Sequence, residues 1–245
     1  MRPRANRQRA RGGAGGATVS IENYLKAIFH QSEGGRSVIA ARLAEALGVS
    51  PPAVTSAIRR LAGRGFVTVD RHKAIGLTPK GLEVARHLIC RHRLVERLLT
   101  DVLGMEWYRV HEEAERMEHA ISPEVEARLM KVFGDRGVCP HGSSLFPEGV
   151  GPRQHRGETL LADATGARHL QVTEVDDEER AFLEYLDNLG ILPGAHLLVE
   201  ERQFDGTLRL QVDHRTVHLG KDSAQRVWVR PAPVPAPAPP GANER

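Results

Sequence analysis

The stretch RHRLVERLLTDVLGMEWYRVHEEAERMEH, from Arg91 to His119, carries six histidines and glutamates at helical spacing. His92 and Glu96 stand four apart; beyond Gly104 come His111, Glu115, Glu118 and His119, separated by four, three and one. On a helix, positions i, i+4, i+7 and i+8 fall on one face. Carboxylates and imidazoles massed there repel one another or lose solvation unless something positive lies between them. A divalent cation is the usual solution. The spacing predicts one helix over about 78–103, stopped by Gly104, and a second over about 107–121. If the two pack together, all six side chains converge, so the first expectation is a metal site held between two helices.

Charge is distributed unevenly along the 245 residues. Residues 50–93 hold nine Arg or Lys against two acids, Asp70 and Glu83, while 111–118 and 174–184 are acidic. A local basic surface suits a DNA-binding face better than the overall formal charge of +3 does. Two cysteines, Cys90 and Cys139, imply no disulfide framework. With no apolar run long enough for a membrane span and no secretory signal, a cytoplasmic protein is expected. The length suggests two domains with a small third.

Residues 1–17, with five arginines, four glycines and no acid, read as a disordered basic arm. Ser20 is placed to cap a helix with Ile21, Tyr24, Leu25 and Ile28 on one side. Ser37 is read as the cap of a second helix, striped by Ile39, Leu43 and Leu47. After the turn Gly48-Val49-Ser50, Pro51 opens a third helix, with Val54, Ile58 and Leu61 inward and Thr55, Ser56 and Arg59 outward. This is helix-turn-helix spacing, the second helix having leading residues small enough to approach base edges in a major groove. GFVTVDRHKAIGLTPKG then reads as strand, basic turn, strand and helix start, which makes a winged helix. The candidate DNA-contacting residues are Ser37, Ser50, Pro52, Ala53, Thr55, Ser56, Arg59, Arg60, Arg71 and Lys73.

Ser122-Pro123 starts another helix. Leu129, Val132 and Phe133 on it, with Leu94 and Leu98, form a candidate two-fold interface, intramolecular packing being the alternative. Residues 134–157 are rich in Gly, Pro and His and read as a linker, whose Cys139 and His141 are a weak ligand signal. Beyond Glu158, short half-alternating runs separated by turns, with one helix among them, suggest a small β-barrel. The end is a polyproline-type tail.

The motifs AARLAEALGVSPPAVTSAIRRLAGRGFV, LTPKG, RHRLVERLLTDVLG and VHEEAERMEHAISPEVEARL resemble the metal-dependent repressors related to the diphtheria toxin repressor, the iron-dependent regulator and the manganese transport regulator. The resemblance covers about residues 20–133 and is highly specific; residues 158–230 look like the SH3-like (FeoA-like) domain of iron-type members. It implies a mainly α fold: a winged helix-turn-helix at 18–82, a dimerisation and metal-binding domain at 83–134, a linker at 135–157, the SH3-like barrel at 158–230 and a tail at 231–245. It implies a primary metal site of Glu115, Glu118, His119 and Asn23, and a second of His92, Glu96, His111 and Glu178. Iron-type members have cysteine where this chain has Glu115, which favours manganese.

Two departures stand out. Asn23 occupies a position held by methionine or aspartate in the family, and Lys26 stands where manganese-type members have a glutamate. Glu22 is adjacent but faces elsewhere, and Ala181 falls near a third-domain ligand position and cannot ligate.

The implied function is a transcriptional repressor of metal-homeostasis genes. It would be activated by one or two Mn²⁺ or Fe²⁺ ions per subunit and would bind a palindromic operator as a homodimer, with one or two dimers per operator. The rivals are a winged-helix regulator whose acidic face is structural and ignores metal, and a metallohydrolase. Against an enzyme, the chain has no Gly-rich phosphate loop, nucleophile elbow or HExxH.

Overall fold

The computed structural model describes residues 21–33, 37–134, 137–147, 157–164, 168–176 and 179–233. The basic arm, the Ser20 cap, Glu178 and nearly all of the proline-rich tail lie outside these residues.

Helix α1 (Ile21–Glu33) buries Tyr24, Leu25, Ile28 and Phe29. It packs against α2 (Ala40–Ala46) and the later α4, and shares with α3 (Pro51–Gly63) one apolar core. Helix α2 begins later than expected, and Ser37 does not cap it. The reason lies in the wing: the Val38 carbonyl accepts from Ile75 N at 2.9 Å, holding this segment extended beside a strand. In α3, Val54, Ala57, Ile58 and Leu61 face inward, and the prolines at its first turn need no hydrogen-bond acceptor. The wing is β1 (Val67–Val69) paired antiparallel with β2 (Ile75–Leu77). Its turn is tied by Asp70, whose Oδ1 accepts from His72 N and Ala74 N, both at 2.8 Å.

Helix α4 (Pro79–Arg97) is capped by Thr78, whose hydroxyl accepts from Gly81 N at 3.1 Å. A π-helical turn (Leu98–Val102) and Gly104, at φ +66°, end it. Helix α5 (Val110–Met117) is shorter than the expected 107–121, so Glu118 stands at its C-terminal cap and His119 beyond it. Helix α6 (Pro123–Phe133), capped by Ser122, returns against α4. Part of the expected linker is core: Cys139, His141, Ser143 and Leu145 are buried.

The C-terminal region has β3 (Thr159–Leu160), a 3₁₀ turn (Leu161–Asp163), β4 (Arg168–Val175), α7 (Arg180–Leu189), β5 (His196–Arg202), β6 (Leu208–Val212), β7 (Arg215–Leu219), α8 (Lys221–Ala224) and β8 (Val227–Pro231). The strands form one antiparallel sheet in the order β3-β8-β4-β5-β6-β7. The expected barrel is therefore corrected to an open sheet, because β3 and β7 are its two edges and do not pair among the described residues. Closure needs matched edge strands. Here β3 has two residues, and the β7 edge exposes Arg215, Thr216 and His218, the polar kind of edge that resists pairing. One face of the sheet is instead filled by Phe182, Leu183 and Leu186 of α7, with Leu161 and Ala224. No helix is long and apolar enough to cross a membrane among the described residues.

Candidate metal centre and nucleic-acid interface

All ten candidate DNA-contacting residues are exposed. Ser50, Pro52, Ala53, Thr55, Ser56, Arg59 and Arg60 belong to α3 or its cap, Arg71 and Lys73 sit at the wing tip, and Ser37 precedes α2. Lys73 takes a left-handed conformation at φ 62°.

The wing is fixed to α4. Thr78 N donates to the Phe66 carbonyl at 3.0 Å, and Thr78 Oγ1 donates to the Gly65 carbonyl at 2.7 Å. A Cβ on Gly81 would lie 2.0 Å from the Phe66 carbonyl oxygen, so only glycine permits this approach. His92 lies eleven residues beyond Gly81 on the same helix, an axial distance of about 16 Å.

His92 and Glu96 share one face of α4, with His92 Nε2 3.0 Å from Glu96 Oε1. His111, near the start of α5, brings Nδ1 to 3.1 Å from His92 Nε2 and 3.3 Å from the same Glu96 oxygen. His141 adds a third imidazole, its Nδ1 3.4 Å from Glu96 Oε1. Its Nε2 donates to the Trp107 carbonyl at 3.0 Å, which leaves Nδ1 of the neutral ring as a lone-pair donor aimed at the cluster. The potential ligand atoms of His92, Glu96 and His111 lie within 4.8 Å of one another, as do those of Glu96, Cys139 and His141. Glu96 is the shared member of the two groups.

Burial opposes charge on Glu96, yet His92, His141 and the hydrogen bonds from His111 and His141 hold its carboxyl well below the usual range. Burial likewise opposes the charged forms of His92 and His141, but Glu96 outweighs it and raises both. Glu96 Oε2 is buried without a hydrogen-bond partner among the described residues. Three imidazoles and an acceptor-only carboxylate with a spare buried oxygen fit a divalent transition metal. An ion bound there would compete with protons for these donors.

The expected primary set behaves differently. Glu118 is buried and turns both oxygens to Lys26 Nζ, at 3.0 and 3.3 Å, while its Oε2 lies 2.6 Å from His92 Nδ1. These partners overcome burial and lower its carboxyl pKa. Glu115 is 56 % exposed and lies 3.7 Å from Lys26 Nζ. His119 places Nδ1 2.7 Å from Glu22 Oε2 and Nε2 3.6 Å from Glu118 Oε1. Asn23 lies half-buried on α1.

Neither Lys26 as an internal cation nor the burial of Cys139 and His141 beside Glu96 is legible in the sequence pattern. The Cys-Pro-His triplet was the only available signal for the latter.

Of the candidate interface residues, Leu94 is wholly buried and Leu129 nearly so, both in a cluster with Cys90, Cys139 and Leu145. Leu98 and Phe133 pack against that cluster, whereas Val132 is 69 % exposed. Leu94 therefore supports this surface from beneath and cannot itself face a partner.

A winged helix joined through one continuous helix to a buried histidine–carboxylate centre defines a metal-type DNA-binding regulator. Residues 17–75 match the iron dependent repressor N-terminal DNA binding domain, 78–147 the iron dependent repressor metal binding and dimerisation domain, and 159–231 the FeoA domain. The chain belongs to the iron-dependent repressor family, which includes the diphtheria toxin repressor. It is 33 % identical over 221 residues to the iron-dependent repressor IdeR of Mycobacterium tuberculosis, covering 86 % of this chain and 96 % of that protein. It is 34 % identical over 219 residues to the diphtheria toxin repressor of Corynebacterium diphtheriae, with the same coverages of 86 % and 96 %. Among solved structures, a manganese-dependent transcriptional repressor in complex with manganese is similar at TM-score 0.75 and 33 % identity, covering 87 % of this chain and 100 % of that one.

Proposed function

We propose that this protein is a metal-dependent transcriptional repressor of metal-homeostasis genes, acting in the cytoplasm as a homodimer on a palindromic operator, with Mn²⁺ or Fe²⁺ as activator. The observation that carries this reading is the continuity of α4, which holds Phe66 of the wing against its first turn and His92 and Glu96 near its end.

His92, Glu96, His111 and His141 would hold the ion, with Cys139 beside them. When bound, the ion would supply positive charge to donors that otherwise share protons. The chain's residues do the rest. His92 and Glu96 anchor the centre on α4, His111 ties it to α5, and His141 ties it to the loop under the C-terminal sheet. That loop is itself held to the sheet: Val175 N donates to the His141 carbonyl at 3.0 Å, and Ser143 Oγ donates to Glu174 Oε1 at 2.7 Å. Fixing these parts sets the angle at which α3 is presented, and two copies related by symmetry then meet two operator half-sites. Binding must favour the DNA-competent arrangement for metal to act as a switch. Exposed Val132 and Val125 on α6 supply apolar surface for the dimer. The domain limits expected from the sequence, and one or two dimers per operator, belong to the same proposal.

The test uses a duplex selected from random DNA in the presence of Mn²⁺. Retardation should strengthen with Mn²⁺ or Fe²⁺ under anaerobic conditions and lose that dependence in Glu96→Gln. Equal affinity in excess chelator would overturn the proposal.

A further inference from the structure

We propose that the Lys26 ammonium is a built-in cation that welds α1 to α5, so that the Glu115–Glu118–His119 set takes no metal and the metal response rests on the Glu96 centre alone. This rests on the function proposed above for the Glu96 centre; the weld itself does not.

Lys26 lies on the inner face of α1, its side chain 10 % exposed. Its Nζ reaches both oxygens of Glu118 at 3.0 and 3.3 Å, Glu115 Oε1 at 3.7 Å and His92 Nδ1 at 3.2 Å. An ammonium has three donors and no acceptor, so it can satisfy carboxylates but cannot ligate an ion. Two of its protons serve Glu118. The third faces Glu115, because His92 Nδ1, 2.6 Å from Glu118 Oε2, needs a proton of its own for that contact. A divalent ion among these carboxylates would have to displace the tethered charge or bear its repulsion at close range.

His119 pairs its Nδ1 with Glu22 at 2.7 Å, making a second tie from α1 to the end of α5, while its Nε2 lies 3.6 Å from Glu118 Oε1, an oxygen already held by Lys26 at 3.3 Å. The two convergent groups of potential ligands among the described residues draw on His92, Glu96, His111, Cys139 and His141, and neither includes Glu115, Glu118 or His119. The donors expected to form the primary site therefore do not fit a metal here.

His92 joins the two regions. Its Nδ1 proton goes to Glu118, and its Nε2 faces Glu96 and His111. Glu118, steadied by Lys26, thus acts as a positioning residue: it selects the tautomer of His92 that offers Nε2 to the Glu96 centre.

Equilibrium dialysis of the full chain with Mn²⁺, together with hydrogen exchange of α1 amides, tests this. The wild type should bind one ion per subunit, and Lys26→Glu, which replaces the ammonium with a carboxylate, should bind two. Lys26→Met should show roughly 10-fold faster exchange in α1 when measured without metal, and should still bind one ion per subunit when dialysed against Mn²⁺. Two ions in the wild type, one of them lost in Glu118→Gln, would overturn the proposal, as would unchanged exchange in Lys26→Met. If the wild type bound no ion, the function proposed above would fail. The weld would still be decided by exchange, faster exchange in Lys26→Met supporting it and unchanged exchange refuting it.

Discussion

Substituting Gly142 by alanine tests whether the loop carrying Cys139 and His141 is part of the metal centre. Gly142 has φ +94°, and a Cβ there would lie 2.0 Å from the Thr173 carbonyl oxygen and 2.7 Å from Glu174 Cα. Both obstacles are backbone of β4 and cannot rotate away. The loop must therefore lift from the sheet, losing the bond from Val175 N to the His141 carbonyl and the bond from Ser143 to Glu174. Left-handed strain costs about 1–2 kcal/mol, a neutral hydrogen bond about 1 and one to a charged group about 1.5–3. Lifting the loop with φ still positive therefore costs roughly 4–6 kcal/mol, and the release is local, leaving the rest of the fold in place. The expected result is a Mn²⁺ affinity lowered by about 10–100-fold, the range seen when support for a ligand is lost, and a melting temperature lower by several degrees. Gly104→Ala is the control, with φ +66° and nothing within 4 Å of its Cβ, so it carries the strain without the clash. Calorimetric titration and a thermal melt of both variants decide the matter. If Gly142→Ala bound Mn²⁺ and melted like Gly104→Ala, the loop would have no part in the centre.

Three further outcomes are expected. Arg59→Ala, at an exposed position on α3, should weaken operator binding and make its dependence on log salt shallower by about 0.9; an unchanged slope would remove Arg59 from the phosphate contacts. Val132→Asp, at a 69 % exposed site, should shift sedimentation toward the monomer while changing monomer stability by less than about 0.5 kcal/mol; a persistent dimer would place the interface elsewhere. The Cys90 thiol, pushed up to about 11 by burial and by Glu126, should be alkylated at pH 8 roughly 100-fold more slowly than a free cysteine. Equal rates would show that α4 opens readily beside Glu126.

Where a residue's role depends on its neighbours in the chain, the sequence was readable. Thr78-Pro79 and Ser122-Pro123 start helices because each cap bonds an amide three residues on. The α3 stripe and the His92/Glu96 pair follow from helical period alone. Ser37 fails as a cap because the neighbouring Val38 carbonyl is taken by Ile75, a partner set by tertiary pairing. His141 sits in a Gly/Pro-rich segment whose burial depends on a sheet that folds later in the chain, and no local pattern records that. Strand spacing predicts the five longer strands of the sheet but neither the two-residue β3 nor whether the edge strands meet, so it reads the open sheet as closed. Lys26 was visible as a departure from the family pattern, but its three partners come from α4 and α5.

His92 is where these features meet. One ring nitrogen faces a carboxylate already neutralised by Lys26, and the other faces a carboxylate surrounded by imidazoles. The first side is a fixed charge pair made within the chain, whereas the second depends on protons or an ion from solution. A response to metal needs only one exchangeable position, provided the other keeps α1 in place. Because α4 carries His92 at one end and abuts the wing at the other, a change at the exchangeable side moves along a helix already braced by α1. The switch then acts on the angle of the reading head and need not order the first helix, so metal should change operator affinity more than it changes hydrogen exchange in α1.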